Sequence, residues 1–413
     1  MPVVRPAGAG FSPLDEQLGL LPGHHLTPTL VEGIVRLGVL IPFGMVPALI
    51  LHFTGVTISA ETVRRLTETA GAVQVARETA AVEQLERTLS DPPAGVPVQL
   101  LSVDGAMVPL VGGDWREVKT LAIGRIAPAA TDPARVATTD LSYFSRLTDA
   151  ASFNRLATVE THRRGTETAQ TIVAVVDGAE WCQGFIDHQR HDAVRILDFA
   201  HALGHLSTVA QAHFGAGTPD ASEWLGQQAH ALRHGHEAIV VNRLATLATT
   251  GSDEARAATQ VTHAYLRSRL AQIRYQTFAA AGYPIGSGCV ESANKLVVEA
   301  RLKGSGMHWS PDHVNPMLAL RTVIANRRWE ADWPAVWTAW RQQARQHATA
   351  RRHRRQAVIR SDTPAAEEAP ATLAESLDPG EPAAPPPRPK TIVNGKPTAE
   401  HIWRKTSPFR AKR

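Results

Sequence analysis

The run Thr171-Ile-Val-Ala-Val-Val-Asp-Gly178 is almost unbroken β-branched chain closed by an acid and a glycine. A strand that is apolar at every position, rather than at every second one, is covered on both faces, the habit of strands inside sheets with parallel pairing. Asp177 stands at its carboxyl end, where such sheets gather their ligands. Downstream, Ala193-Val-Arg-Ile-Leu197 reads as the next strand. It ends at Asp198, and a helix from Phe199 carries His201 and His205. Between the two strands Trp181 and Phe185 mark a short helix. Upstream, Gln99 to Leu110 reads as a strand with Asp104 inside it, Gly112-Gly113 as a turn, Trp115 to Ile126 as a second strand and Leu141 to Leu147 as a short third. Ala151 to Thr166 is helical, with Phe153, Leu156 and Val159 on one side. Three strands in series, then helix, strand, helix, strand and helix, is the order of a ribonuclease-H-like fold. Its first three strands form an antiparallel meander, and the fourth and fifth add in parallel through helical crossovers.

The chain has 413 residues, 43% of them hydrophobic, which is more than one domain's worth and enough for real cores. A net charge of +4 with 18 His uncounted favours an anionic partner. The two cysteines, Cys182 and Cys289, form neither a metal-ligand spacing nor a disulfide framework, and together with the absence of a basic-then-apolar opening they point to a reducing cytoplasm. The apolar stretch from Gly38 to Val56 is broken by Pro42, Gly44, Pro47 and Gly55. Two short buried helices fit it better than a membrane span.

Residues 27–90 read as helical. Thr27-Pro28 is a cap followed by a proline suited to the first helical position, Pro42 stops the first helix near Leu40, and a second runs from Phe43 to Phe53. Ser59 then caps a third. Helix, short glycine turn and Ser-Ala-Glu-Thr-Val-Arg-Arg is the layout of a helix-turn-helix, with Arg64 and Arg65 where base edges or phosphates would be met. An ordinary helical hairpin with two solvated arginines is the alternative. Asp91 to Pro97, with three prolines and a glycine, is a boundary.

After the sheet, residues 213–282 are purely helical in pattern, an all-α insertion. Residues 283–310 then carry a Gly/Pro/Ser turn into a helix with Val290, Ala293, Val297 and Ala300 as an apolar stripe. Ser287 is placed to cap this helix through its hydroxyl. Glu291 lies in its first turn, with Lys295, Arg301 and Lys303 beyond it as a phosphate-facing set. Pairing of Glu291 with Lys295 at i,i+4 is the plainer reading. Trp329, Trp333, Trp337 and Trp340 read as a packed edge rather than a base-stacking platform. Residues 346–413 form a basic, Pro/Ala-rich tail, disordered over 361–389, with Trp403 and Phe409 among its last bases.

Three acids stand out by position: Asp104 in the first strand, Asp177 at the end of the fourth, Glu291 at the start of a late helix. In a ribonuclease-H-like sheet the first and fourth strands are neighbours, so their acids face one place and the late helix packs across them. Three carboxylates there can hold two divalent cations about 3.5–4 Å apart for in-line displacement at phosphorus. Oxygen-only ligands favour Mg²⁺, with Mn²⁺ tolerated. Asp198 also ends a strand and is a rival second acid; with His201 it could instead bind one metal or orient His201 beside a phosphate.

The runs Leu-Ser-Val-Asp-Gly-Ala-Met-Val, Trp-Arg-Glu-Val-Lys, Val-Val-Asp-Gly-Ala-Glu-Trp, Ile-Leu-Asp-Phe-Ala-His-Ala and Pro-Ile-Gly-Ser-Gly-Cys-Val-Glu-Ser-Ala resemble bacterial insertion-sequence transposases of the ISKra family, DDE enzymes related to the Mutator-like group. So does Arg-Leu-Lys-Gly-Ser-Gly-Met-His-Trp-Ser, and the match covers about residues 25 to 345. The resemblance implies that Asp104, Asp177 and Glu291 are the catalytic triad, and that Asp198 and His201 are an Asp-x-x-His element between its second and third members. It implies Mg²⁺ as cofactor and double-stranded DNA, as terminal inverted repeats and target, as partner. Synapsis of two ends implies a homo-oligomer. The family's cysteine-rich amino-terminal segment has no counterpart here, and Pro13-Leu-Asp-Glu-Gln-Leu-Gly resembles the stretch just after that segment. A shortened chain is therefore expected, with end recognition affected more than chemistry. The expected divisions are 1–26 irregular, 27–90 DNA-binding, 98–212 and 283–345 the two parts of the core, 213–282 the insertion and 346–413 the tail. A catalytically silent DNA-binding descendant and a plain ribonuclease-H-like nuclease are the alternative functions.

Overall fold

The computed structural model describes residues 17–361, apart from 23–24, 89 and 130–131, together with 392–393 and 396–397. The chain divides into two units, Met1–Arg354 and Arg355–Arg413. In the second, Ile392–Val393 pairs antiparallel with Lys396–Pro397. The expected irregular opening lies mostly outside the described residues. So do nearly all of the basic end, Trp403 and Phe409 included, and the 362–389 segment.

The first unit is built on a five-stranded sheet. Its strands are β1 (Val98–Pro109), β2 (Trp115–Ala129), β3 (Asp132–Arg146), β4 (Thr171–Val176) and β5 (Val194–Leu197), in the order β3-β2-β1-β4-β5. The β1–β2 and β2–β3 pairs are antiparallel, and β1–β4 and β4–β5 are parallel. This is the ribonuclease-H-like topology that the element order led us to expect. One strand differs. β3 begins at Asp132 rather than near Leu141, because Asp-Pro-Ala-Arg-Val-Ala-Thr-Thr lacks the apolar alternation that signals a half-buried strand. Its first half pairs with the far end of β2 across a register shift between Ile123 and Arg125, and Asp140 there takes a positive φ of 51°.

The registers align three acids. Val98 pairs with Thr171 and Leu101 with Ala174, so the β1–β4 ladder carried three residues further sets Asp104 level with Asp177. Val176 pairs with Leu197, so Asp198 falls at the same level one strand over.

Alternation decides which face each side chain takes. Leu101 and Val103 of β1, with Ile172, Ala174 and Val176 of β4, pack under Phe153 and Ala157 of α4 (Ala150–Arg163) and Phe185 and Ile186 of α5 (Glu180–Arg190). The opposite face is shared by two cores. Leu100, Val173 and Val175 pack against Phe199 and Leu206 of α6 (Phe199–Phe214) and the helices beyond it: α7 (Pro219–Arg233), α8 (Glu237–Leu247), α9 (Asp253–Ser268) and α10 (Tyr275–Ala280). Ala106 and Val108, further along β1, belong to another core. It contains the amino-terminal helices α1 (Pro28–Leu40), α2 (Val46–Thr54) and α3 (Ala60–Arg87), Val290 and Val297 of the Glu291 helix, and α12 (Pro311–Ala325). Asp104 and Asp177 carry the parity of this face and stand where the two cores meet.

The amino-terminal helices begin as their sequence dictates. Thr27 and Ser59 accept the N–H groups of Leu30 and Thr62 and so cap α1 and α3. α3 is one continuous helix through Arg87 and lies so close to α12 that a Cβ on Gly71 would strike the Pro316 backbone. The tryptophans of α13 (Trp329–Ser361) form a packed edge: Trp329, Trp333 and Trp340 are buried, and the first two stack at 5.1 Å. Among the described residues no helix is long and apolar enough to cross a membrane.

Candidate active site at the seam of two cores

Asp104 lies on β1 between the two cores. Its Oδ1 accepts the N–H of Gly105 at 2.7 Å and its Oδ2 accepts Nδ2 of Asn294 at 2.9 Å. Asp177 comes directly after the last residue of β4. Its Oδ1 accepts the Ala179 N–H at 2.9 Å, which fixes the turn, and its backbone carbonyl accepts the Tyr265 hydroxyl at 2.6 Å. Gly178 sits at φ 84° with no room for a Cβ beside that hydroxyl, so the turn needs glycine. Glu291 is exposed in the first turn of α11 (Gly288–Ala293), and its Oε1 accepts from the Ser287 hydroxyl at 3.1 Å.

All three acids line one cleft of about 470 Å³, together with Asp198, His201 and His205. Burial pushes the Asp104 carboxyl up to about 6, and the charges of Asp177 and Glu291 push the same way, against the bonds from Gly105 and Asn294. Uncompensated negative charge in a half-closed cleft is the electrostatic mark of a cation site. The donor set, oxygen only, suits a hard divalent ion. Among the described residues no three His, Cys, Asp or Glu side chains converge closely enough to close on one ion.

Asp198 has another occupation. It is buried, its Oδ1 accepts the His201 N–H at 2.6 Å as the cap of α6, and its Oδ2 accepts the Ser287 N–H at 2.6 Å. Both its oxygens are engaged by backbone although it lines the same cleft, whereas Asp177 accepts a single backbone N–H on one oxygen. Ser287 does not cap the Glu291 helix through its hydroxyl as its place suggests. Its φ and ψ are −83° and 15°, not the extended backbone of a capping residue, and the hydroxyl bonds Glu291 instead.

His201 is exposed and its ring stands 5.0 Å from that of His205. His205 stacks on Tyr265 at 4.1 Å, and the Arg269 guanidinium lies 4.0 Å over the same ring. Burial first, then the charges of His201 and Arg269, lower the pKa of His205. Arg269 also donates to the Gly178 carbonyl at 3.0 Å, so this stack braces the Asp177 turn. Sequence spacing alone does not single out Tyr265, Arg269 or Asn294; their partners are remote in the chain.

The basic residues after Glu291 separate. The helix turns through a π segment, Asn294–Glu299, before ending at Ala300–Leu302. That wider turn rotates the residues beyond it: Ala300, expected inside, is exposed, and Arg301, expected outside, is 2% exposed. Arg301 leaves the phosphate-facing set. Its Nε and Nη2 donate to the Gly38 carbonyl at 3.2 and 3.1 Å, between the rings of Phe43 and Trp309, and burial pulls its pKa down to about 10. Lys303 pairs with Glu299 at 2.8 Å. Lys295 is exposed and does not pair with Glu291, whose bond is to Ser287. On α3, Arg64 is held by Glu61 and Glu68, both at 2.6 Å, and Arg65 is exposed.

The fold class is therefore ribonuclease-H-like, with three carboxylates of three different elements lining a cleft on one face of the sheet. In comparison with known proteins, no family model matches the chain, and no curated protein matches it.

Proposed function

We propose that the chain is a DDE-type DNA transposase that cuts the ends of an insertion sequence and joins them to target DNA. The observation that carries this reading is the gathering of Asp104, Asp177 and Glu291, distant in sequence, on one face of a ribonuclease-H-like sheet around one cleft. The family motifs on which these acids stand support it as well. Asp104, Asp177 and Glu291 would share a pair of divalent ions, Mg²⁺ or Mn²⁺, rather than close on one. When bound, such an ion supplies Lewis acidity at phosphorus and an acidified hydroxyl.

The chain's own residues do the remainder. Asp198 holds the opening of the Glu291 helix against the sheet. The His205–Tyr265–Arg269 stack keeps the Asp177 turn in place. His201, exposed on the cleft wall, is placed to donate to a phosphate oxygen. Lys295 offers a free ammonium one turn beyond Glu291, where a strand leaving the cleft would pass. The helices Val46–Thr54 and Ala60–Arg87 would read the element's ends, with Arg65 rather than the paired Arg64 meeting the duplex. Two ends held together call for a homo-oligomer.

The test uses duplexes carrying the inverted repeats that flank the gene, with a supercoiled target plasmid and Mg²⁺. The parent is expected to nick at the repeat and to give joined products. Asp104→Asn, Asp177→Asn and Glu291→Gln are each expected to lower both by at least about 10³-fold, since each removes a group acting only as part of the set. Nicking unchanged in all three would end the reading. Cleavage of RNA–DNA hybrids with no joined product would favour a nuclease.

A further inference from the structure

One buried amide ties the two acid-bearing layers together. Asn294 is 5% exposed, lies three positions after Glu291 and opens the π turn. Its Nδ2 donates to Oδ2 of Asp104 across 190 residues of chain, while its Oδ1 is buried with no hydrogen-bond partner. A buried polar atom left unmatched carries its full desolvation cost, so the amide is held here against a penalty. Asp104 receives one bond on each oxygen, Gly105 N–H from its own strand and Asn294 from the helix. Two such bonds fix the rotation of the carboxylate and leave each oxygen a further lone pair.

The π turn is part of the same device. Such turns interrupt α-helices frequently at functional positions. Here the carbonyls of Leu296 and Val297 are both met by the buried guanidinium of Arg321, so the turn is fastened from behind. Positions three apart are neighbours on a helix. Glu291 and Asn294 therefore share a side, and a bond that anchors Asn294 to Asp104 also fixes how far Glu291 stands from it.

We propose that Asn294 is a positioning residue that sets the spacing of Asp104 and Glu291 for a divalent cation. This rests on the reading of the three acids as ligands shared between two divalent cations rather than closed on one. Partners that orient ligating carboxylates are worth about 10–100-fold in metal affinity. The experiment is a titration of the full chain with Mn²⁺, without DNA, following free Mn²⁺ by electron paramagnetic resonance. Asn294→Ala and the near-isosteric Asn294→Leu are expected to bind Mn²⁺ about 10–100-fold more weakly than the parent. Plasmid nicking by these variants should recover at saturating Mn²⁺ and be lost at limiting Mn²⁺.

Parent-like Mn²⁺ affinity in the Asn294 variants, with affinity lost in Asp104→Asn, overturns the inference and leaves the acids as ligands. Parent-like affinity in Asp104→Asn overturns both. Lowered thermal stability with unchanged affinity is a packing role only and counts against the proposal. Should the alanine variant not fold, the leucine variant decides by the same measurement.

Discussion

Asp198 accepts the backbone N–H of Ser287 at 2.6 Å, which pins the turn before the Glu291 helix to the end of β5. The same strand end receives a second strap, since Phe199 N–H donates to the Ile285 carbonyl at 3.0 Å. The helix that brings the third acid is thus fastened to the sheet at the level of the other two.

Asp198→Ala removes a helix cap and that strap together. A lost cap costs about 1 kcal/mol, and a bond to a charged group about 1.5–3 kcal/mol. We expect a loss of about 2–4 kcal/mol in urea unfolding and a fall in nicking larger than the fall in folded protein. A variant as stable as the parent would mean that the turn is held by other contacts.

Asp104 makes metal-free stability depend on pH. Its carboxyl is raised from the ordinary 3.8 to about 6 in the fold. Between those values the native state binds more protons than the unfolded one, so stability falls as pH rises through the window. The fall should be seen as a decline in Tm between pH about 4 and about 6, superposed on the chain's other titrations. Asp104→Asn is expected to flatten it, and Mg²⁺ to raise the parent's Tm above pH 6 by binding the ionised native state. Identical slopes for parent and variant would refute the assignment.

Arg301 and Lys295 should behave as opposites. Arg301→Ala strands the Gly38 carbonyl and opens a gap between Phe43 and Trp309; about 2–4 kcal/mol of stability should go, by urea titration. Lys295→Ala should leave stability within about 0.5 kcal/mol. In DNA-binding titrations at several salt concentrations it should reduce the salt slope by about one. A stable Arg301→Ala with weakened DNA binding would restore that residue to the surface set.

Gly71→Ala tests the approach of α3 to α12. The added methyl would meet the Pro316 backbone rather than a movable side chain. A loss of about 1–3 kcal/mol is expected, as for other overpacked sites, read from the urea midpoint. No loss would show that the helices can part.

The sheet and the level of its acids are legible in the sequence because β-branched runs ending in Asp are strong local signals. The spacing of Asp104 and Asp177 by 73 residues equals the offset of the β1–β4 ladder, which is why both acids fall at one level. Long-range partners leave no local trace. Nothing near Asp198 announces Ser287, and nothing near Asn294 announces Asp104. The expectation for Arg301 fails for a definite reason: a 3.6-residue period does not carry through a segment where the helix widens. The start of β3 is illegible because the polar residues 132–139 have no face pattern to read.

Leu100 and Val108 lie on one strand and one side of it, yet different helical layers cover them. The floor of the cleft is one continuous ladder, and its two walls meet at the bonds of Asp198 and Phe199 to Ser287 and Ile285. Widening the opening would therefore have to break those two bonds while every ladder bond stayed intact.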